Sequence, residues 1–228
     1  MNKDKVYIII PVYNETLLLR DIVTQLLVQS YSNIVIIDDG STLNIREIVT
    51  TLPVIYIRHA VNLGQGAALQ TGFEYVKKLN FDAVVTFDGD GQHSVDDIAS
   101  LLYYIDDGSA DISLGSRFLG NNKNQVPFVR SVILQIARHI NLIFSGLLLS
   151  DAHNGLRALN KKAVDLIHFS ENRMAHASEI LFQIKKNHLR FKEVPMDIKY
   201  DPTSPKKGQS SIDSVKILFD LVLHKLFE

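Results

Sequence analysis

The chain has 228 residues, 46% hydrophobic and 21% charged, with only 6 Pro, a globular composition that excludes disorder and collagen-like repeats. Its 24 Lys+Arg against 25 Asp+Glu give a formal net charge of -1, so no global basic field draws nucleic acid and any polyanion must be held locally. Cys is absent, which excludes disulfide staples, thiol nucleophiles and zinc–thiolate centres and suits a reducing cytoplasm.

The N-terminus passes from Met1–Lys5 straight into Val6–Ile10 and Pro11, an apolar run too short for a signal peptide and suited to a buried strand. Further strands are predicted at Ile34–Asp38, Val54–Arg58, Ala83–Phe87 and Ile112–Ser116, all near-continuous apolar runs of the kind buried on both faces of a parallel sheet. Helices are predicted between them at Thr16–Gln29, Ala67–Leu79 and Val95–Ile105. This alternation predicts an α/β sandwich with a mainly parallel sheet. Beyond Arg117 the texture changes. A loop over 119–127 is followed by a long helical region to about Ser150, a polar turn at Asp151–Arg157, and helices at Lys161–Ile167 and Ala177–Lys186. Phe191–Lys199 reads as a strand interrupted by Pro195, Asp201–Ser210 as a loop, and Ser211–Phe227 as a closing helix. No internal repeat or linker appears, so one domain over 1–228 is expected. Val126–Leu149 comes nearest to a membrane span, but Arg130, Gln135, Arg138, His139 and Asn141 interrupt it. Both it and Ser211–Phe227 are amphipathic, and could lie in a bilayer interface or pack on the sheet or on a second subunit.

Ligands of open α/β sheets bind outside the carboxyl ends of the strands. Here those exits read Pro11-Val12-Tyr13-Asn14-Glu15, Asp38-Asp39-Gly40-Ser41 and Asp88-Gly89-Asp90-Gly91-Gln92-His93. Asp88 and Asp90, one residue apart on a turn, can share a hard cation such as magnesium, with Gln92 and His93 as an added ligand or hydrogen-bond partner. The bland alternative is a solvated Asp-Gly turn. A carboxylate at Asp38 or Asp39 can accept from a nucleobase N–H or from ribose hydroxyls. Gly64-Gln65-Gly66 with Gly72 lacks the third glycine of a dinucleotide fingerprint and follows the third strand, so that reading is rejected. It fits a helix start with Asn62 near the cap, or a loop whose backbone approaches a ligand.

Taken together, Ile8–Glu15, Ile36–Ser41, Asn62–Ala68, Phe87–His93, Gly115-Ser116-Arg117, Asp151–Ala158 and Lys207-Gly208-Gln209-Ser210 resemble family 2 glycosyltransferases. Within these the chain is most similar to dolichyl- and polyprenyl-phosphate mannosyl- or glucosyltransferases, from about residue 5 to residue 211. The resemblance implies a GT-A nucleotide-sugar-binding sandwich with added C-terminal helices. Residues 1–117 would form the nucleotide-sugar part, and 118–228 the acceptor part. It further implies that Pro11, Tyr13 and Glu15 line the nucleotide pocket and that Asp39 contacts the base. Asp88 would sit by the ribose and phosphates, and Asp90 would be the main ligand of Mg²⁺ or Mn²⁺, assisted by Gln92. Arg117 would reach donor or acceptor phosphates, Asp151 and Arg157 would lie by the acceptor, and Lys207 would sit on a loop that closes over the site. Two positions depart from the family's pattern: Gln65 stands where members often carry Lys, and Asn154-Gly155-Leu156-Arg157 replaces Ser-Gly-Phe-Arg. Many lipid-phosphate members also carry transmembrane helices after this part, and none is recognised after residue 211 here.

The expected activity is a metal-dependent inverting transfer of a sugar from a UDP- or GDP-sugar to polyprenyl phosphate. A phosphate acceptor is already anionic and needs cations such as Arg117, Arg130, Arg138, Arg157 and Lys207 rather than a base. A glycan hydroxyl in surface-polysaccharide synthesis is the alternative acceptor, and it would need a base such as Asp151, His153 or His176. A nucleotidyltransferase shares the carboxylate–magnesium logic but opens with a Gly-rich basic loop, where this chain has Pro11–Glu15. A non-catalytic sugar-nucleotide-binding module is disfavoured by the intact Asp88/Asp90 pair. The expected place is the cytoplasm, peripheral on the inner face of the membrane if the amphipathic helices bind lipid.

Overall fold

The computed structural model describes residues 1–16, 18–119, 142, 146–147, 149–151 and 154–196. The expectations for His153, Arg130, Arg138, Lys207, the 201–210 loop and the 211–227 helix, and nearly all of the 126–149 helix, lie outside these residues.

Seven strands are described: β1 (Val6–Val12), β2 (Asn33–Asp38), β3 (Ile55–Arg58), β4 (Ala83–Thr86), β5 (Ile112–Ser116), β6 (Arg157–Asn160) and β7 (Phe191–Pro195). They form one sheet in the order β3-β2-β1-β4-β6-β5-β7. All neighbours run parallel except at β6, which is antiparallel to both β4 and β5. The five strands expected in the first half are present within a residue or two. Pro195 closes β7 at the sheet edge opposite Ser116, where a missing N–H costs least.

Alternation along the strands divides the apolar residues between two cores. Val6, Ile8, Ile10 and Val12 of β1 and Ile34 and Ile36 of β2 face one side. There they meet α1 (Leu19–Val28), the short α2 (Ile45–Val49) and α4 (Asp97–Asp106). Ile9, Val35 and Ile37 face the other side, against α3 (Gln65–Val76), α5 (Lys161–Leu166) and α6 (His176–Lys186). Helices on both faces explain why the central strands are apolar throughout rather than alternating.

Helix boundaries differ from the periodic pattern for local reasons. The helix α3 begins at Gln65, two residues early, because Gly64 at φ 114° turns the chain into it. Asn62 lies near the cap at Gly64, as expected, with its amide turned to Asp39. The region 157–160 was read as the end of a polar turn and the approach to a helix, and it is a strand. Because β6 runs against its neighbours, its first residue, Arg157, lies at the edge where the parallel strands end.

Candidate active site

The carboxyl edge of the sheet brings together the exits of β1, β2, β3, β4 and β5 and the entry of β6. Asn14, at φ 54°, stitches the first two exits together. Its Oδ1 accepts from Thr42 N–H at 2.9 Å and Thr42 Oγ1 at 3.0 Å, and its own N–H donates to Ser41 Oγ at 2.9 Å. Beside it, Pro11 ends up half-buried within β1, Tyr13 is exposed, and Glu15 lies close enough to act electrostatically on Asp90.

The two β2-exit carboxylates are consumed inside the protein. Asp38 accepts from Ser41 N–H at 2.8 Å and from Tyr56 OH at 2.5 Å. Burial first, and then that bond to Asp38, push the Tyr56 phenol up to about 12. Asp39 is 3% exposed and organises the loop after β3. Its Oδ1 accepts from Leu63 N–H at 3.0 Å and meets His59 Nδ1 at 2.8 Å. Its Oδ2 accepts from Gly64 N–H at 2.7 Å and Asn62 Nδ2 at 2.9 Å. A carboxylate offers about four lone-pair sites, and four donors occupy them. Asp39, the residue expected at the nucleobase, thus also braces this turn.

The β4 exit is built around Asp88. Gln65 Nε2 donates to its Oδ1 at 2.9 Å, and His93 Nε2 faces its Oδ2 at 3.5 Å. The Gly155 backbone lies so close that a Cβ there would overlap the Asp88 carboxylate. That loop is fixed by Thr86 Oγ1, which donates to Gly155 O at 2.6 Å. Burial opposes the Asp88 charge, but the His93 hydrogen bond and the charges of His93, Arg157 and His176 outweigh it and lower the pKa. Asp90 goes the other way. Surrounding protein atoms and then the Asp88 charge raise it, with Glu15 adding to the effect. Its Oδ1 accepts the Gln92 backbone N–H at 3.0 Å. Asp88 and Asp90 thus concentrate negative charge on hard oxygen donors at an open rim. Such a donor set fits a divalent cation whose remaining ligands come from water and phosphate. Among the described residues no three His, Asp or Glu side chains converge as a closed metal cage.

On the other flank Arg117 and Asp151 form a buried two-point pair. Arg117 Nε donates to Asp151 Oδ2 and Nη2 to Oδ1, both at 2.6 Å, and the Arg117 backbone N–H reaches Oδ2 at 3.1 Å. Glu193 holds the segment before it by accepting from Ser150 and Asp151 N–H groups. Arg157 is 2% exposed, and its burial lowers the guanidinium to about 10, opposed by the charges of Asp88 and Asp151. It therefore remains a cation at neutral pH, in the field of both carboxylates.

The sequence reading named Asn14 in a strand exit and Gly155 in the polar turn but gave neither a role, and it missed His59. An Asn in a strand-exit loop, which tolerates positive φ, was a usable signal for Asn14. For His59 and Gly155 no local signal existed, because their partners are distant in the chain.

The chain matches the family described as Glycosyl transferase family 2 over residues 7–167. It is 32% identical to an uncharacterized protein of Methanocaldococcus jannaschii, over 100% of this chain and 95% of that one. It is also 32% identical to the UDP-N-acetylglucosamine–dolichyl-phosphate N-acetylglucosaminyltransferase of Methanococcus voltae, over 97% and 96%. An undecaprenyl-phosphate mannosyltransferase of Micrococcus luteus is 28% identical, over 84% and 82%. Among solved structures, glucosyl-3-phosphoglycerate synthase of Mycobacterium tuberculosis with Mn²⁺, UDP and phosphoglyceric acid superimposes with a TM-score of 0.70 at 13% identity. That match covers 95% of this chain and 78% of the other, and it places the fold in the GT-A class. The family match spans most of the sheet and the likeness to named transferases runs the whole length, so the chain is a glycosyltransferase and belongs to glycosyl transferase family 2.

Proposed function

We propose that the chain transfers a sugar from a nucleotide-diphosphate donor, UDP- or GDP-linked, to polyprenyl phosphate with inversion at the anomeric carbon. The observation that carries this reading is the pairing, on one edge, of an acidic turn at Asp88 and Asp90 with the buried cation Arg157. Asp88 and Asp90 would hold Mg²⁺ or Mn²⁺, with Gln92 beside them. Such an ion supplies Lewis-acid neutralisation of the donor diphosphate. The segment from Pro11 to Glu15, with Tyr13 exposed, flanks the space for the nucleotide. Arg157 supplies fixed positive charge in a low-dielectric surround, where it acts on phosphate oxygens more strongly than it would in water.

The nature of the acceptor is supported by the state of Asp151. Both of its oxygens are engaged by Arg117, which makes it a poor general base. A hydroxyl acceptor would require such a base, whereas a phosphate attacks already ionised. Curated relatives named as dolichyl-, polyprenol- and undecaprenyl-phosphate transferases point the same way. Among the described residues no helix is long and apolar enough to cross a membrane. On this reading a lipid-linked acceptor is met at the cytoplasmic face by peripheral contact.

The test is transfer from a panel of UDP- and GDP-sugars to polyprenyl phosphate in detergent, with Mn²⁺, Mg²⁺ or EDTA. Asp90→Ala is expected to keep its fold by circular dichroism and to lose roughly 10²–10³-fold in metal-dependent kcat. Full activity of that variant, or transfer to hydroxyl acceptors alone, would overturn the reading.

A further inference from the structure

Asp88 can serve a cation only if its carboxylate is held away from the positive charges around it. His93 Nε2 faces its Oδ2 at 3.5 Å, and the buried Arg157 guanidinium acts on its charge. Gln65 opposes this with a neutral donor, its Nε2 at 2.9 Å from Asp88 Oδ1. An amide orients a carboxylate without cancelling its charge, so the charge remains available to a metal.

Gln65 is itself fixed by its place as the first residue of α3. Asp39 draws in the N–H groups of Leu63 and Gly64 just ahead of it. On the far side Ala67 N–H donates to Asn172 O at 3.1 Å. The backbone of residues 171–172 packs so tightly here that a Cβ at Gly64 or Gly66 would overlap it. The helix start therefore has little room to slide, and Gln65 is presented to Asp88 in one position.

We propose that Gln65 is a positioning residue for the cation site, held in place by the 62–65 turn that Asp39 braces. This rests on the cation-assisted reading above. The geometry supports this, since the turn that Asp39 braces leads directly to the amide on Asp88. Partners that orient metal ligands from outside the coordination sphere typically account for about 10–100-fold in metal affinity.

The test is Mn²⁺ binding to the full chain, read by the loss of free-ion electron paramagnetic resonance signal with UDP or GDP present. Gln65→Leu is expected to weaken Mn²⁺ by about 10–100-fold while its thermal midpoint in EDTA stays at the wild-type value. Gln65→Ala provides the same measurement should the leucine fold poorly. Asp39→Asn, which loosens the turn ahead of Gln65, is expected to weaken Mn²⁺ as well. Unaltered Mn²⁺ affinity in the Gln65 variants overturns the positioning role. If the wild-type chain binds no Mn²⁺ with either nucleotide, the cation reading itself falls and this inference with it.

Discussion

Gly155 shows how much a single missing Cβ can decide. It follows Asn154, whose Oδ1 accepts from Leu156 N–H at 2.9 Å and so shapes the turn into β6. With any side chain at 155, the Asp88 carboxylate would have to move. Gly155→Ala is expected to fold and to lose about 10²-fold in kcat/KM, because a displacement near 1 Å in a reacting constellation has that effect. Steady-state kinetics beside a urea melt would separate this from loss of stability. Asp88 and Asp90 were legible as a site because both carboxylates belong to one short turn after a strand. Asp39 was legible as important, but its bracing of the 59–64 loop was not, since an acidic strand exit reads the same whether its acceptors face a ligand or the chain's own N–H groups.

Among the elements, β6 matters most to the site. It is four residues long and begins with a charged side chain, so no apolar run announced it. Its reversed direction carries Gly155 and Arg157 to the edge where the parallel strands deliver Asp88 and Arg117. The β4–β6 seam is closed at that edge by Thr86 Oγ1 on Gly155 O. Thr86→Val keeps the shape and removes the bond, and is expected to cost about 1 kcal/mol by urea denaturation. A fall in kcat larger than that loss of stability explains would show that the seam also sets Gly155 against Asp88. The parallel strands themselves were legible because burial on two faces leaves an uninterrupted β-branched run.

At the scale of the whole molecule, Asp111 joins the second half of the sheet. Its carboxylate accepts from Asn160 Nδ2 at 3.1 Å, Lys162 Nζ at 3.1 Å, and the N–H and side chain of Arg190 at 2.9–3.3 Å. These contacts tie the start of β5 to the end of β6, to α5 and to the entry of β7. Burial favours the neutral acid, but the bonds from Arg190, Asn160 and Lys162 outweigh it and hold the pKa well below the usual carboxylate range. The unfolded chain therefore takes up this proton first as pH falls. The stabilisation is complete above the unfolded value of about 4 and is lost as pH falls toward the folded one. Asp111→Asn is expected to lower stability at pH 7 by about 2 kcal/mol, a figure kept small because Lys162 and Arg190 remain half exposed. Urea midpoints at pH 7, 5, 4 and 3 should show a shallower decline in the variant than in the wild type. Equal slopes would remove the network as a source of acid sensitivity.

Local chemistry was enough to establish the α/β class, the strands buried on two faces, the acidic turn at Asp88 and Asp90, and the family resemblance. All of these depend on residues within a few positions of one another, so hydrophobic period and turn composition report them directly. What only the tertiary structure decided was which groups are spoken for. Asp39 is saturated by residues 59–64, Asp151 is paired with Arg117, Asp88 is oriented by Gln65, and Arg157 is buried near both carboxylates. Apart from Arg157 with Asp151, these pairings span about 20 to 70 residues, and sequence spacing carries no record of which donor a carboxylate meets once the sheet has assembled. A net charge of -1 excluded a basic field but was silent on the arrangement beneath it. Folding sets an acidic rim and a buried cation side by side on one edge, where opposite charges cancel in the sum and act separately at the site.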